Sequence, residues 1–519
     1  MAESGKNSLK SQVISGITWK FAERLLAQLI TFALSLILAR LLSPEDYGAV
    51  AMVNIFIIIA DILITSGLSA ALIQKKDATE ADFSTVFYCN LIMSVVLYAI
   101  LFMFAPLIAE MYKIPELSLI LRIIALKLPF SAFNSVQNSY VARNMQFKRL
   151  FFSSVIGTLI SAGLGVYLAY NGYGAWALVA QQLSVIVINS ILLLFLIPWH
   201  PKFIFSKDSF KSVIGYGSQV MATDLSGTVF NQINGLAIGV KYTSSDLAFY
   251  TKGQQLPQAV STTVSSALTG VMFPAIAKVS EDMQSVKKAA RKSLKLISYV
   301  VFPLMFGMAV ISHELVIVLY TEKWVNTVPY MIIMCIDGGI SVIGAIDIIV
   351  LKAIGKSSST LKLELIKKPL FLILIIAAMQ FGVIWIAVIV PVMDLIATAI
   401  NSYSLKKWIN YGFFEKVFDC KDALFLSAVA CGLAYLAGFI NIPSNFIILI
   451  LKFIIAVGCY ILLSALFRNA SFKELLGFIK NVFNKRKARR NAVEDASANN
   501  SAENQSENTD NEISDTEKQ

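Results

Sequence analysis

The stretch Ile57-Ile58-Ile59-Ala60-Asp61-Ile62-Leu63-Ile64 lies inside an apolar run from 47 to 73. A helix that crosses a bilayer needs about 20 mostly apolar residues. This run is long enough, and it carries a carboxylate near its middle. Similar runs occupy 17–42, 83–109, 117–142, 151–170, 174–198, 211–240, 247–277, 294–320, 327–353, 361–381, 383–405, 422–440 and 445–467. Of the 519 residues, 56% are hydrophobic and 15% charged, against roughly 25% charged in soluble domains. Mean hydropathy is +0.68. The sequence predicts an all-α polytopic membrane protein with about 14 transmembrane helices.

The gaps between these runs differ in charge. Even-numbered gaps hold Lys75 and Lys76, then Arg143, Lys148 and Arg149, then Lys202, Lys207 and Lys211. They continue with Lys278, Lys287, Lys288, Arg291, Lys292 and Lys295, with Lys352, Lys356, Lys362, Lys367 and Lys368, and with Lys406, Lys407, Lys416 and Lys421. The odd gaps hold only Arg40, Lys113, Lys241 and Lys323. Cytoplasmic loops retain Lys and Arg, so the even gaps and both termini are expected in the cytoplasm, with the chain in the inner (cytoplasmic) membrane. The net charge of +11 then belongs beside anionic membrane lipids, and no nucleic acid partner is expected.

Other chemistry is sparse. Cys89, Cys335, Cys420, Cys431 and Cys459 form no C-x-x-C pair, and His200 and His313 are the only histidines. No metal site, cofactor or catalytic residue is expected. The first run is too long for a cleavable signal peptide, and no loop can house a soluble catalytic domain. A phosphate-loop reading of Gly355-Lys356-Ser357 fails because Val350 stands where the first glycine belongs. The chain is therefore not read as an enzyme. After the last run come Lys480, Lys485, Arg486, Lys487, Arg489 and Arg490, then a polar stretch rich in Asn, Ser, Glu and Asp. Such a tail buries too little apolar area to order itself.

One short pattern recurs. Leu42-Ser43-Pro44-Glu45-Asp46-Tyr47-Gly48 follows the first run, and Tyr242-Thr243-Ser244-Ser245-Asp246-Leu247-Ala248 follows the seventh. An even number of spans separates the two starts, so the copies share one orientation. A parallel repeat places a substrate cavity between its halves. The expected organisation is an N-lobe over 1–200, a C-lobe over 201–410, two additional spans over 411–470 and a cytoplasmic tail over 471–519.

A charge near the centre of a span costs about 2.5–3.5 kcal/mol on insertion scales, so it needs a partner, water or a function. Arg24, Arg122, Lys127 and Lys252 are candidates to line a wet cavity and attract an anionic substrate. Asp61, Asp224, Asp337, Asp347 and Asp394 are candidates to bind a coupling Na⁺ or H⁺. Pairing or hydrogen bonding between helices is the competing role for each. Tyr140, Tyr167, Tyr170, Tyr173 and Trp176 are available for stacking on sugars, or for an interfacial aromatic belt.

Gly16-Ile17-Thr18-Trp19, the stretch Ala39-Arg40-Leu41-Leu42-Ser43-Pro44-Glu45-Asp46-Tyr47-Gly48, and Phe273-Pro274-Ala275-Ile276 resemble the Wzx-type polysaccharide flippases of the MOP superfamily. The colanic-acid and teichuronic-acid exporter type is the most similar. The resemblance implies two six-helix lobes, two further helices and a central cavity with alternating access. It implies transport of undecaprenyl-diphosphate-linked oligosaccharide repeat units across the membrane for surface polysaccharide or lipopolysaccharide biosynthesis. Basic cavity residues, Arg24 and Lys252 among them, would hold the diphosphate. Contact with a polysaccharide polymerase and glycosyltransferases is a further expectation. Two rivals remain open: an ion-coupled multidrug antiporter of the same superfamily, which would favour an acidic cavity, and a membrane glycosyltransferase or polymerase.

Overall fold

The computed structural model describes residues 2–440 and 442–477. The basic cluster from Lys480 and the polar tail expected after it lie outside the described residues. Within them the chain is helical, without a strand. The helices are α1 (Ala2–Leu41), α2 (Pro44–Thr65), α3 (Gly67–Gln74), α4 (Glu80–Met111), α5 (Glu116–Ile124), α6 (Lys127–Arg143), α7 (Phe147–Tyr170) and α8 (Ala175–Leu196). Then follow α9 (Lys207–Lys241), α10 (Ser244–Ala277), α11 (Met283–Val310), α12 (Ser312–Tyr320), a 3₁₀ turn (Glu322–Thr327), α13 (Val328–Ala353), α14 (Ser357–Ala378), α15 (Val383–Ile409), α16 (Phe413–Leu436) and α17 (Asn445–Leu466).

Twelve helical stretches among the described residues are long and apolar enough to cross a membrane. The chain is an all-α, multi-pass membrane protein. Two runs read as spans fall short on composition: α9 and α14 have the length but not the apolarity. Both carry their polar groups toward a cavity described below. Asn231 lies on α9, and Glu364, Lys367 and Lys368 on α14. The run 117–142 is two helices, broken between Ile124 and Lys127. Pro129 has no N–H to give the carbonyl of Ala125, and its ring crowds that carbonyl. The Ala125 oxygen accepts instead from the Leu128 N–H at 3.0 Å. A second break at Ser66 separates α2 from α3.

The recurring pattern becomes the same local structure twice. At α2, Asp46 Oδ2 accepts from the Ser43 N–H at 3.0 Å and hydroxyl at 2.7 Å, and the Asp46 N–H donates back at 3.2 Å. At α10 the Thr243–Asp246 distances are 3.1, 2.7 and 3.2 Å. These are capping boxes with Asp in the third position, which satisfy donors that a helix start leaves open. The two starts also touch. The Ser245 hydroxyl donates to Glu45 Oε1 at 2.6 Å, joining residues at equivalent places in the repeat. Equivalent residues meet where a two-fold relation has its axis. A Cβ at Gly48 would stand 1.8 Å from the Ser244 carbonyl oxygen, so only glycine permits this approach.

We call the end carrying these turns the turn end, and the opposite end, with Lys75, Arg143 and Lys202, the basic end. The apolar core differs between them. In the turn half one cluster joins both halves of the chain, with Leu38, Met52, Ile57, Ile120, Ile238, Leu247 and Ile386 among its members, and a second beside it holds Ala39, Ala248, Tyr320 and Trp324. Toward the basic end the core divides. One cluster gathers Leu72, Val86, Val136 and Val213; a separate one gathers Ile276, Leu294, Val350 and Leu405. Helix α9 runs from the first of these to the turn-half core, contributing Val213 near its start and Ile238 near its end. Its start packs on α3, where a Cβ at Gly67 would lie 2.5 Å from the Gly217 oxygen. Helices α16 and α17 cover α11 and α12 from outside.

Candidate functional site

The division of the core leaves a polar cavity in each arm. The first, about 650 Å³, is lined from α1, α2, α3, α6, α7 and α8, with Lys20, Thr65, Ser135, Asn138 and Asn189 among its residues. The second, about 510 Å³, is lined from α9, α10, α13, α14 and α15, with Asn231, Ser265, Lys367, Lys368 and Asp394 among its residues. Thr65 and Ser265 stand at the same offset as the capping boxes. In both arms the third long helix, α4 or α11, is left out.

The first cavity is hydroxyl- and amide-rich. Ser135 donates to the Thr65 carbonyl at 3.2 Å, and Ser190 donates to Asn134 Oδ1 at 2.9 Å. Among the described residues its one charged lining residue is Lys20, paired with Glu23 at 2.6 Å. The second cavity is charged. Lys367 pairs with Glu364 and reaches Asn401 Oδ1 at 3.3 Å. Lys368 donates to Ser226 at 2.7 Å and lies 4.8 Å above the Phe230 ring. The Asp337 and Asp394 carboxyls sit beside one another, within reach of hydrogen bonding, and Asp394 also feels Lys367.

A third feature closes the turn end. The Lys252 ammonium is buried and lies 3.3 Å from Ser35 Oγ. Three rings surround it: Tyr47 at 4.2 Å, Tyr320 at 5.3 Å and Trp324 at 5.8 Å. Cation–π attraction stands here in place of a carboxylate. Beside it Trp324 Nε1 donates to the Ala39 carbonyl at 2.8 Å, and Lys323 donates to the Leu42 carbonyl at 2.6 Å. Arg40 returns the contact to the Val318 carbonyl at 2.6 Å. These bonds tie α1 to the α12–3₁₀ segment.

The residues singled out by sequence do not form one site. Arg24 is exposed on α1, and Asp224 is exposed on α9. Arg122 turns back onto α4: its Nε donates to the Phe102 carbonyl at 3.3 Å, and its guanidinium lies 4.3 Å above the Phe102 ring. Lys127 lies within electrostatic reach of Asp61, whose Oδ1 is buried without a hydrogen-bond partner among the described residues. Asp347 is held by Lys416 and by the Ser402 hydroxyl at 2.8 Å, which leaves it no open position for an ion. A further charge within a span, Lys452, pairs with Glu314 at 2.6 Å. Tyr167, Tyr170 and Tyr173 are exposed and line neither cavity. Sequence reasoning assigned Lys367, Lys368 and Lys416 to a basic loop set. They are helical and face inward. The three-residue spacing of Glu364 and Lys367 was the signal that could have placed Lys367 on a helix.

Several known proteins resemble this chain. Succinoglycan biosynthesis transport protein ExoT of Rhizobium meliloti is 26% identical over 322 residues, 62% of this chain and 65% of that protein. Teichuronic acid biosynthesis protein TuaB of Bacillus subtilis is 25% identical over 409 residues, 77% of this chain and 84% of that protein. Among solved structures, the lipid II flippase MurJ in an inward closed conformation superposes with a TM-score of 0.70. It is 16% identical, and the match covers 89% of this chain and all of that one. An inward-facing multidrug resistance MATE family transporter of the MOP superfamily gives 0.58 at 16% identity, over 74% and 94% of the chains. These likenesses establish the fold. The family described as "Polysaccharide biosynthesis protein" matches residues 37–329, more than half of the sequence, and the chain belongs to that family.

Proposed function

We propose that this protein flips lipid-linked oligosaccharide repeat units, carried on undecaprenyl diphosphate, across the cytoplasmic membrane for surface polysaccharide biosynthesis. Residues 1–200 and 201–410 act as two lobes, and 411–470 brace the second. The basic end faces the cytoplasm, as retention of Lys and Arg requires. The single observation that carries the reading is the core that is joined at the turn end and split at the basic end, with a polar cavity in each arm. A transporter caught open to one side needs this shape. Succinoglycan and teichuronic acid relatives support a glycan cargo.

Arg24 is exposed near the basic end and is available to an anionic headgroup. Lys252 is capped while the turn end is closed. Opening that end pulls α1 and α2 away from α12 and uncovers the ammonium, so Lys252 meets the diphosphate late in the cycle. The Asp337–Asp394 pair serves coupling. Two carboxyls side by side in a low-dielectric site share one proton most cheaply, and losing or gaining it changes the charge of the second cavity.

The test is deletion of the chain in its host, followed by labelling of lipid-linked repeat units with a membrane-impermeant reagent on intact spheroplasts. The deletion strain accumulates units that the reagent cannot reach, and the wild-type gene restores labelling. Normal outer-face labelling without the protein would end this reading.

A further inference from the structure

We propose that the first cavity is a subsite for the uncharged, hydroxyl-rich sugar portion of the cargo; this rests on the flippase reading above. The chemistry of the lining selects the ligand class. Among the described residues, no Asp or Glu lines the cavity. The one ammonium that lines it among the described residues, Lys20, is already engaged by Glu23. What remains is an apolar part, Ile73, Leu150, Val185 and Ile186 among it, and a set of hydroxyls and carboxamides, groups that both donate and accept.

Many of these groups are tied up in the protein's own hydrogen bonds, and a few are not. Asn189 Oδ1 is buried and has no partner among the described residues. Ser131 and Asn138 line the cavity and make no side-chain hydrogen bond among the described residues. A buried, unpaired polar atom is costly unless something supplies its bond. One such atom, with the free polar groups of Ser131 and Asn138 beside it, around one 650 Å³ space points to a ligand that brings donors and acceptors without charge. The volume falls within the range of about 300–1,000 Å³ typical of small-molecule sites. Phe147 adds an apolar face to the same wall, which suits the carbon-bound hydrogens of a sugar ring.

The second cavity, at matching helices, lacks this character. Lys367, Lys368, Glu364 and Asp394 fill it with charge. The two cavities therefore have different occupants, and the sugar belongs to the first.

The probes are the lipid-linked repeat unit extracted from the producing cell and sugar-free undecaprenyl diphosphate. Each is titrated onto the full-length protein in nanodiscs. The variants are Asn138→Leu and the double change Asn138→Leu with Asn189→Leu. Asn138 is exposed, so its single variant tests the idea even where the double variant folds poorly. Affinity for the glycan-bearing lipid is expected to fall at least threefold in the single and tenfold in the double variant. Affinity for the sugar-free lipid should change less than twofold, and Asn138→Ser should recover most of the loss. Unchanged glycan binding in the single variant, or equal losses for both lipids, overturns the subsite and leaves the flippase reading standing. A wild-type protein that binds neither lipid overturns both.

Discussion

The two cavities occupy matching places in the repeat and differ in nearly every functional side chain. In the first, hydroxyls and carboxamides from α6 and α8 dominate. In the second, α14 and α15 contribute ammonium and carboxylate groups. A duplicated backbone keeps its helix packing, because packing is set by side-chain volume and period. The residues facing an internal space are released from that constraint. The lesson is that symmetry of fold does not carry symmetry of chemistry. One arm became a neutral, hydrogen-bonding surface and the other a charged one.

The largest expected effect concerns what charge costs the second arm. Asp347 and Lys416 are both fully buried and paired. Removing one partner of such a pair typically costs about 3–5 kcal/mol, while replacing both with apolar residues is often neutral. Asp347→Ala should therefore lower the unfolding midpoint in detergent strongly, and Asp347→Leu with Lys416→Leu should recover most of it. In the first arm, Asn134→Ala removes a neutral hydrogen bond to Ser190 and should cost about 1 kcal/mol. Equal losses in the two arms would erase the contrast.

A second effect, on transport, sharpens the same comparison. Asp394→Asn keeps the shape of the second cavity but fixes its protonation. Export measured in vesicles with an imposed proton gradient should fall at least tenfold and lose its dependence on the gradient. Lipid binding should stay near wild type. If gradient dependence survives intact, the Asp337–Asp394 pair has no part in coupling.

The fold was legible in the sequence because its physics is local and repeated. Run lengths such as 47–73 gave the spans, and loop charge gave two distinct ends. Ser43 and Asp46 against Thr243 and Asp246 gave the repeat, since a capping box needs only its own four residues. The site was far less legible. Lys367 and Lys368 fall inside the run 361–381 yet count with the loop cations, because a charge tally takes no account of which way a helical lysine faces. Asp347 read as a free carboxylate because its partner, Lys416, lies far along the chain. Nothing local marked Asn189 or Asn138, since an uncharged side chain leaves no trace in a charge pattern. The aromatic cage of Lys252 needed Tyr47 brought from one distant place and Tyr320 and Trp324 from another.

The smallest effect separates the cavities from the seal that governs access to both. Trp324 contributes a ring to the Lys252 cage and one hydrogen bond to the Ala39 carbonyl. Trp324→Phe keeps an aromatic ring and removes the donor, so the closed turn end should lose about 1 kcal/mol. Because 1.4 kcal/mol is a factor of ten, the population open at that end should rise roughly fivefold. Ser35→Cys places a thiol against Lys252, on the inner side of the seal. Its labelling by an impermeant maleimide added from the turn end should accelerate by about the same factor in the Trp324→Phe background. A rate that does not move would mean that Lys323 and Arg40 hold the seal on their own, and that the cage only shelters a buried lysine.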